Sequence, residues 1–212
     1  MKFLSNINKI IRRKFIYRFD YTGERVIPTE MHGDVKTWIQ HLSRYVFALD
    51  YVVNKATLDV ACGSGYGLSI LSSVAKCVTG IDVNEDAICW AKNNNKFYCP
   101  IDFIIKNVDT GTMSGKFDSV ISFETIEHLK DPKKFLRGVA AIINWDGVFV
   151  FSVPLEDPPN KFHKQRFNWK SLKKLIEHTL GNNVRWYSQI DHNISDGQMS
   201  AAKFGLGIWF KK

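Results

Sequence analysis

A chain of 212 residues with 45% apolar content is long enough to bury one substantial core, and it carries a formal net charge of +8. Four cysteines (Cys62, Cys77, Cys89 and Cys99) form no C-x-x-C pair, which argues against a zinc site or disulfide framework and fits reduced thiols in a cytoplasmic compartment. No apolar run reaches the length of a membrane span, and basic residues interrupt the N-terminal apolar stretches in a way no signal peptide shows.

The charge is unevenly placed. Lys2, Lys9, Arg12, Arg13, Lys14 and Arg18 precede the first acid, Asp20, and without these six the 29 basic residues fall to 23, against 21 acidic ones. The basic character therefore belongs to an N-terminal arm rather than to the globular part. In that arm Phe3, Leu4, Ile7, Ile10, Ile11 and Phe15 recur at helical spacing, with Lys2, Asn6, Lys9 and Arg13 on the other side. Three roles fit such an arm: a helix docked over the mouth of a site, peripheral contact with an anionic membrane, or contact with RNA. The near-neutral remainder argues against a large nucleic-acid footprint. The expected organisation is an arm with cap helices over residues 1–50 and one catalytic domain over 51–212.

From residue 55 onward, strands and helices alternate. Thr57–Val60 is a strand, followed by a helix to about Ala75 and a second strand over Cys77–Ile81. Asn84 caps a helix over Glu85–Asn94, and Ile101–Ile105 and Phe117–Phe123 are further strands. Pro132 suits the first turn of a helix reaching Ile143, because its missing N–H is harmless there. Val148–Val153 is a strand, Trp169–Leu180 a helix, and Val184–Gln189 and Leu206–Phe210 are terminal strands. This is the rhythm of a doubly wound, Rossmann-like α/β sheet with helices on both faces.

The first strand runs into Asp59-Val60-Ala61-Cys62-Gly63-Ser64-Gly65-Tyr66-Gly67. Glycines two apart in a strand-to-helix turn clear side chains from the backbone amides, so a nucleotide-like ligand can lie against them. The sixth position from Gly63 is Leu68, so the dinucleotide fingerprint fails, and a Walker loop would need a lysine that is missing. The segment resembles motif I of the class I S-adenosylmethionine-dependent methyltransferases, (D/E)-x-G-x-G-x-G, with Ala61 in place of the first glycine. The resemblance covers residues 55 to 155 well. It implies a seven-stranded sheet whose last two strands form a partly antiparallel edge, and S-adenosylmethionine as cofactor.

Strand-end acids follow the same scheme. Asp82 ends the second strand, where a carboxylate can accept hydrogen bonds from both ribose hydroxyls, with Val83 beside it. By resemblance Asp109 would meet the adenine amino group and Val108 would offer its backbone amide, and a turn-forming aspartate is the rival reading there. Asp59, Ala61, Gly63, Gly65 and Phe123 complete the expected cofactor contacts.

The fourth strand leads into Glu124-Thr125-Ile126-Glu127-His128. If this segment is helical, Glu124, Glu127 and His128 share one face, and His163 in the loop after the fifth strand could join them around Mg2+ or Mn2+. A bound cation lowers the pKa of a hydroxyl acceptor, while His128 or His163 could act as general base. The E-x-x-E-H element with a later histidine is similar to that of metal-dependent RNA 2′-O-methyltransferases. With Ser152-Val153-Pro154 it also resembles sugar and polysaccharide methyltransferases.

Tyr21–Pro28, containing T-G-E-R, and His41-Leu42-Ser43-Arg44-Tyr45 are similar to the entry region of methyltransferases from glycan pathways, in which Arg44 would pair with the carboxylate of the cofactor's methionine. The expectation is O-methylation of a sugar hydroxyl on a nucleotide-linked sugar or polysaccharide. The alternatives are RNA ribose methylation, N-methylation of an amino sugar, and a non-catalytic scaffold that keeps the cofactor site.

Overall fold

The computed structural model describes residues 35–156 and 161–212. Eight strands, β1 (Ala56–Val60), β2 (Cys77–Asp82), β3 (Ile101–Ile105), β4 (Phe117–Phe123), β5 (Ile143–Pro154), β6 (Val184–Ile190), β7 (Asn193–Asp196) and β8 (Phe204–Phe210), form one sheet in the order β3-β2-β1-β4-β5-β8-β6-β7. The first five in that order are mutually parallel. The last three are antiparallel to their neighbours. The order reverses between β1 and β4, and the carboxyl ends of those two strands flank the crevice where α/β sheets bind ligands.

Both faces of the sheet are covered, which explains the nearly continuous apolar runs of its central strands. Val120 and Phe149 belong to the core under α4 (Pro132–Ile142) and α5 (Trp169–Leu180). Their chain neighbours Ile121 and Val150 pack on the opposite side with Tyr45 and Ala48 of α1 (Val35–Ala48) and Leu68 and Leu71 of α2 (Tyr66–Leu71). The strand period of two thus divides the core into two halves.

Local signals behave as their chemistry requires. Asn84 accepts the Ala87 N–H at 2.8 Å to start α3 (Glu85–Asn94). Asp131 accepts the Lys134 N–H beside Pro132, and Asn168 and Ser171 form a reciprocal capping box at α5.

Three boundaries depart from the expected ones. The helix after the glycine turn ends at Leu71 rather than near Ala75, because the hydroxyls of Ser72 and Ser73 bond back to the carbonyls of Ser69 and Ile70. Strand β5 begins directly where α4 ends, since Ile143 pairs with Phe117 across a register shift. Asn193–Asp196 adds an eighth strand by folding back on β6. The basic arm and the Tyr21–Pro28 turn lie outside the described residues, as do Asp157–Asn160 of the loop after β5. No described helix is long and apolar enough to cross a membrane.

Gly67 sits where α1 crosses α2, and a Cβ there would lie 2.1 Å from the Tyr45 ring. Gly67→Ala should therefore destabilise the protein by about 1–3 kcal/mol, measured as a lower urea midpoint with an unchanged slope.

Candidate active site

The turn after β1 is built from left-handed residues. Ala61, Gly63 and Gly65 have φ of 60°, 53° and 78°. The Ala61 Cβ opposes that conformation by about 1 kcal/mol, the cost of departing from glycine there. Gly63 faces open space, with no described atom within 4 Å of where its Cβ would be, whereas a Cβ on Gly65 would strike Ala91 of α3 at 2.5 Å. Only one of these two glycines, then, clears room for a ligand. The other seats the turn on a helix.

Asp82 holds the turn from the neighbouring strand. One carboxylate oxygen accepts the Gly63 N–H at 2.9 Å and the other accepts the Asn84 N–H at 2.8 Å. Its carboxylate is thus anchored beside the open face of Gly63, and Val83 next to it is 60% exposed. Asp59 lies fully buried beneath, taking a hydrogen bond from the Tyr45 hydroxyl at 3.2 Å. Burial pushes its carboxyl up to about 8; the Tyr45 bond works against that shift and the Asp82 charge adds to it.

Above the carboxyl ends of β1 and β4, helix α1 forms a roof. Trp38 packs edge-on against Tyr66 at 4.8 Å, and Tyr45 packs against both Tyr66 and Phe123. His41 Nδ1 lies 2.8 Å from the Tyr66 hydroxyl, and its Nε2 lies 3.2 Å from Glu124 Oε1. Burial lowers the His41 imidazole to about 4, with Glu124 opposing the shift and Arg44 reinforcing it. Burial would raise the Glu124 carboxyl, but the Arg44 guanidinium prevails, aided by the neighbouring imidazoles of His41, His128 and His163, and holds it below the usual glutamate range. A neutral imidazole beside an ionised carboxylate has one sensible tautomer. Nε2–H donates to Glu124, so Nδ1 accepts from Tyr66.

Arg44, the residue expected at the cofactor's carboxylate, has no exposed surface. Its guanidinium pairs with Glu124, donates to Gln189 Oε1 at 2.8 Å and stacks 4.5 Å from the Phe204 ring. Its Nε has no hydrogen-bond partner among the described residues.

The segment after β4 is not the helix that would have aligned Glu124 with Glu127 and His128. Glu124 takes φ of 48°, and a single 3-10 turn follows over Ile126–His128. Its N–H is held by the Ser152 carbonyl at 3.1 Å, so the Ser152-Val153-Pro154 segment fixes this corner. The corner turns the Glu124 side chain toward Arg44 and His41. Glu127, His128 and His163 do converge, with ligand-type atoms all within 4.8 Å of one another. The two imidazoles meet edge-on at 4.7 Å, and the Lys164 and Gln165 N–H groups clasp the Glu127 carbonyl at 2.8 and 2.9 Å. The expected four-residue cluster is therefore three residues in this structure. A buried carboxylate with two imidazoles is a donor set that suits a borderline divalent cation.

Asp109 and Val108 occupy the 3-10 turn after β3, where Asn107 caps the backbone. Asp109 Oδ1 accepts the Lys130 N–H at 2.8 Å, so this residue also braces the segment after the Glu127–His128 turn. Sequence reading placed the His41–Tyr45 stretch over the methionine end but missed His41, Tyr66 and Gln189 as members of one network. Gln189 gave no signal, because glutamine in a strand has no motif and its partner stands 145 residues away.

A family pattern described as a methyltransferase domain matches residues 31–191. The chain is 26% identical over 164 residues to a probable S-adenosylmethionine-dependent methyltransferase of Mycobacterium tuberculosis, a match that takes in 73% of this chain and only 58% of that protein's length. It is 32% identical over 100 residues to the ubiquinone biosynthesis O-methyltransferase of Coxiella burnetii, covering 46% of this chain and 43% of the relative. Among solved structures, the N-methyltransferase NodS of Bradyrhizobium japonicum in complex with S-adenosyl-L-homocysteine superposes with a TM-score of 0.66 at 16% identity, over 87% of this chain and 91% of that one. At that identity the likeness is one of fold.

His41 provides a pH test of the roof. An imidazole with a folded pKa of about 4 and an unfolded value of 6.5 favours folding above 6.5, and that contribution is lost as pH falls toward 4. His41→Gln should flatten this part of the stability profile, read as thermal midpoints across that range.

Proposed function

The chain belongs to the methyltransferase-domain family, and from that premise we propose that it is an S-adenosylmethionine-dependent enzyme that methylates oxygen, the acceptor being a hydroxyl of a nucleotide-linked sugar or polysaccharide. The observation that carries the oxygen reading is the convergence of Glu127, His128 and His163 beside the carboxyl ends of β4 and β5. A hydroxyl is a poor nucleophile at neutral pH and needs a base or a cation, whereas an amine needs less help. The partial match to an O-methyltransferase supports the same choice. The sugar reading rests on the likeness of the Tyr21–Pro28 and Ser152–Pro154 segments to glycan-pathway enzymes.

The residues present fit the cofactor. Gly63 opens the backbone of the turn to free space that a ligand can enter, and the buried Arg44 guanidinium has an Nε–H with no partner among the described residues. Asp82 and Val83 would take the ribose and Val108 and Asp109 the adenine. Ala61, Gly63 and Gly65 shape the turn against the ligand over Asp59. Phe123 closes the methionine end, where Arg44 takes the carboxylate. When bound, the sulfonium supplies an electrophilic methyl with its leaving group attached. The work left to the chain is alignment, removal of a proton and exclusion of water.

His163 and His128 stand together as candidates to take the acceptor's proton, with the Phe162 carbonyl 3.2 Å from His128 Nδ1 to orient that ring. Glu124 contributes charge near them rather than a metal bond. A metal-assisted variant is favoured by the same three-residue cluster. Glu127, His128 and His163 would hold a divalent cation, the two imidazoles favouring Mn2+ over the harder Mg2+, and its chemistry would be to acidify the hydroxyl.

With labelled S-adenosylmethionine and a panel of sugar nucleotides and oligosaccharides, the wild type should label an acceptor at oxygen. His163→Ala should lower turnover by about 10²–10⁴-fold while S-adenosylhomocysteine binding stays unchanged. Equal turnover in wild type and variant would defeat the assignment. In parallel, Asp82→Asn should weaken S-adenosylhomocysteine by about tenfold, measured by calorimetry, through loss of charge-assisted bonds to the ribose.

A further inference from the structure

Among the described residues the guanidinium of Arg44 contacts Glu124, Gln189 and Phe204, which differ in kind. Gln189 is fixed, because its own amide N–H groups donate to the carbonyls of Gln40 at 3.0 Å and Asp191 at 2.8 Å. The Phe204 ring belongs to β8, which lies between β5 and β6 in the sheet. Glu124 alone among the three is charged, and it alone sits on a backbone conformation that its side chain opposes. The Glu124 side chain is 26% exposed, whereas that of Arg44 is wholly covered. Glu124 is therefore the member of this ion pair that solvent can reach. The unmatched Nε of Arg44 shows that the buried guanidinium has more donor capacity than these neighbours use.

We propose that Glu124 is a built-in competitor for the donor's amino-acid carboxylate. Arg44, braced by Gln189 and Phe204, is a carboxylate site that either Glu124 or the methionine end of the donor occupies, and binding of the donor displaces Glu124. The inference rests on the cofactor reading given above and deepens it, since it states which protein group the donor must replace. A monodentate pair gives way to a carboxylate that can use two N–H groups, including Nε. The released Glu124 carboxylate stays near the imidazoles of His128 and His163. Donor binding thereby returns an acidic group to the acceptor side of the site. Apparent donor affinity is reduced by the fraction of molecules in which Glu124 holds Arg44.

The test compares two ligands on the full chain by calorimetry: S-adenosylhomocysteine, which carries the carboxylate, and 5′-methylthioadenosine, which lacks the amino-acid end. Glu124→Gln should bind S-adenosylhomocysteine about tenfold more tightly than wild type and bind methylthioadenosine equally well. If methylthioadenosine binds both proteins alike and S-adenosylhomocysteine gains nothing, the competitor idea is overturned and the cofactor reading survives. If neither ligand binds either protein, the cofactor reading falls and takes the proposal with it. A second readout uses the wild type alone and so is independent of how the variant folds. The Arg44 Nε–H resonance, identified by its loss in Arg44→Lys, should shift with S-adenosylhomocysteine and stay in place with methylthioadenosine. A resonance that responds to neither ligand or equally to both would sink the exchange.

Discussion

A guanidinium without any exposed surface must have its charge and its hydrogen bonds met from inside the protein. Arg44 imposes that condition on this molecule, and the elements that answer it are the elements that make the site. Glu124 comes from the corner after β4, Gln189 from β6 and Phe204 from β8. Breaking a buried ion pair by deleting one partner typically costs about 3–5 kcal/mol, a large part of the net stability of a domain this size. The strained backbone at Glu124 is affordable only against an interaction of that order. Helix α1 is held over the sheet by this charge and by the aromatic contacts of Trp38 and Tyr45, rather than by apolar burial alone.

The second constraint is the crowding of carboxylates at the ends of β1 and β2. Asp59 and Asp82 are neighbours in a poorly hydrated place, and the arrangement resolves the conflict by separating their roles. Asp59 is raised toward the neutral form under Tyr45, so it serves as a hydrogen-bonding strut. Asp82 is clasped by two backbone N–H groups and can remain an acceptor for a ligand. Two identical side chains thus take different roles through their surroundings, one a buried strut and the other a brace of the glycine turn.

Much of this could be read in the residues. Motif I, the strand-end acids and the helix caps are local patterns with local causes, and they lie where the spacing placed them. What escaped the reading was set by non-local geometry. The length of α2 turned on two serine hydroxyls, and β7 on a four-residue fold-back. The direction of Glu124 depended on a single left-handed residue pinned by Ser152, for which a helical periodicity argument had no place. Ala61 shows the converse: its departure from glycine was plain in the sequence, and the structure shows the backbone keeping glycine's conformation regardless. His41 and Gln189 acquire their roles only when α1 meets a strand at the other end of the chain.

That last meeting has a consequence for how the protein is made. Arg44 and Gln189 are separated by 145 positions, so the hydrogen bonding of the buried guanidinium is completed only after β6 has joined the sheet, although Glu124 can meet its charge earlier. During synthesis the glycine turn, Asp82 and the corner at Glu124 all emerge earlier and can pair locally, yet α1 has no complete seat until the antiparallel edge arrives. The Arg44 end of the site is encoded early in the described residues and finished by strands near their end. A ribosome-bound fragment ending before Gln189 would carry most of the recognisable motifs and still lack the assembled roof.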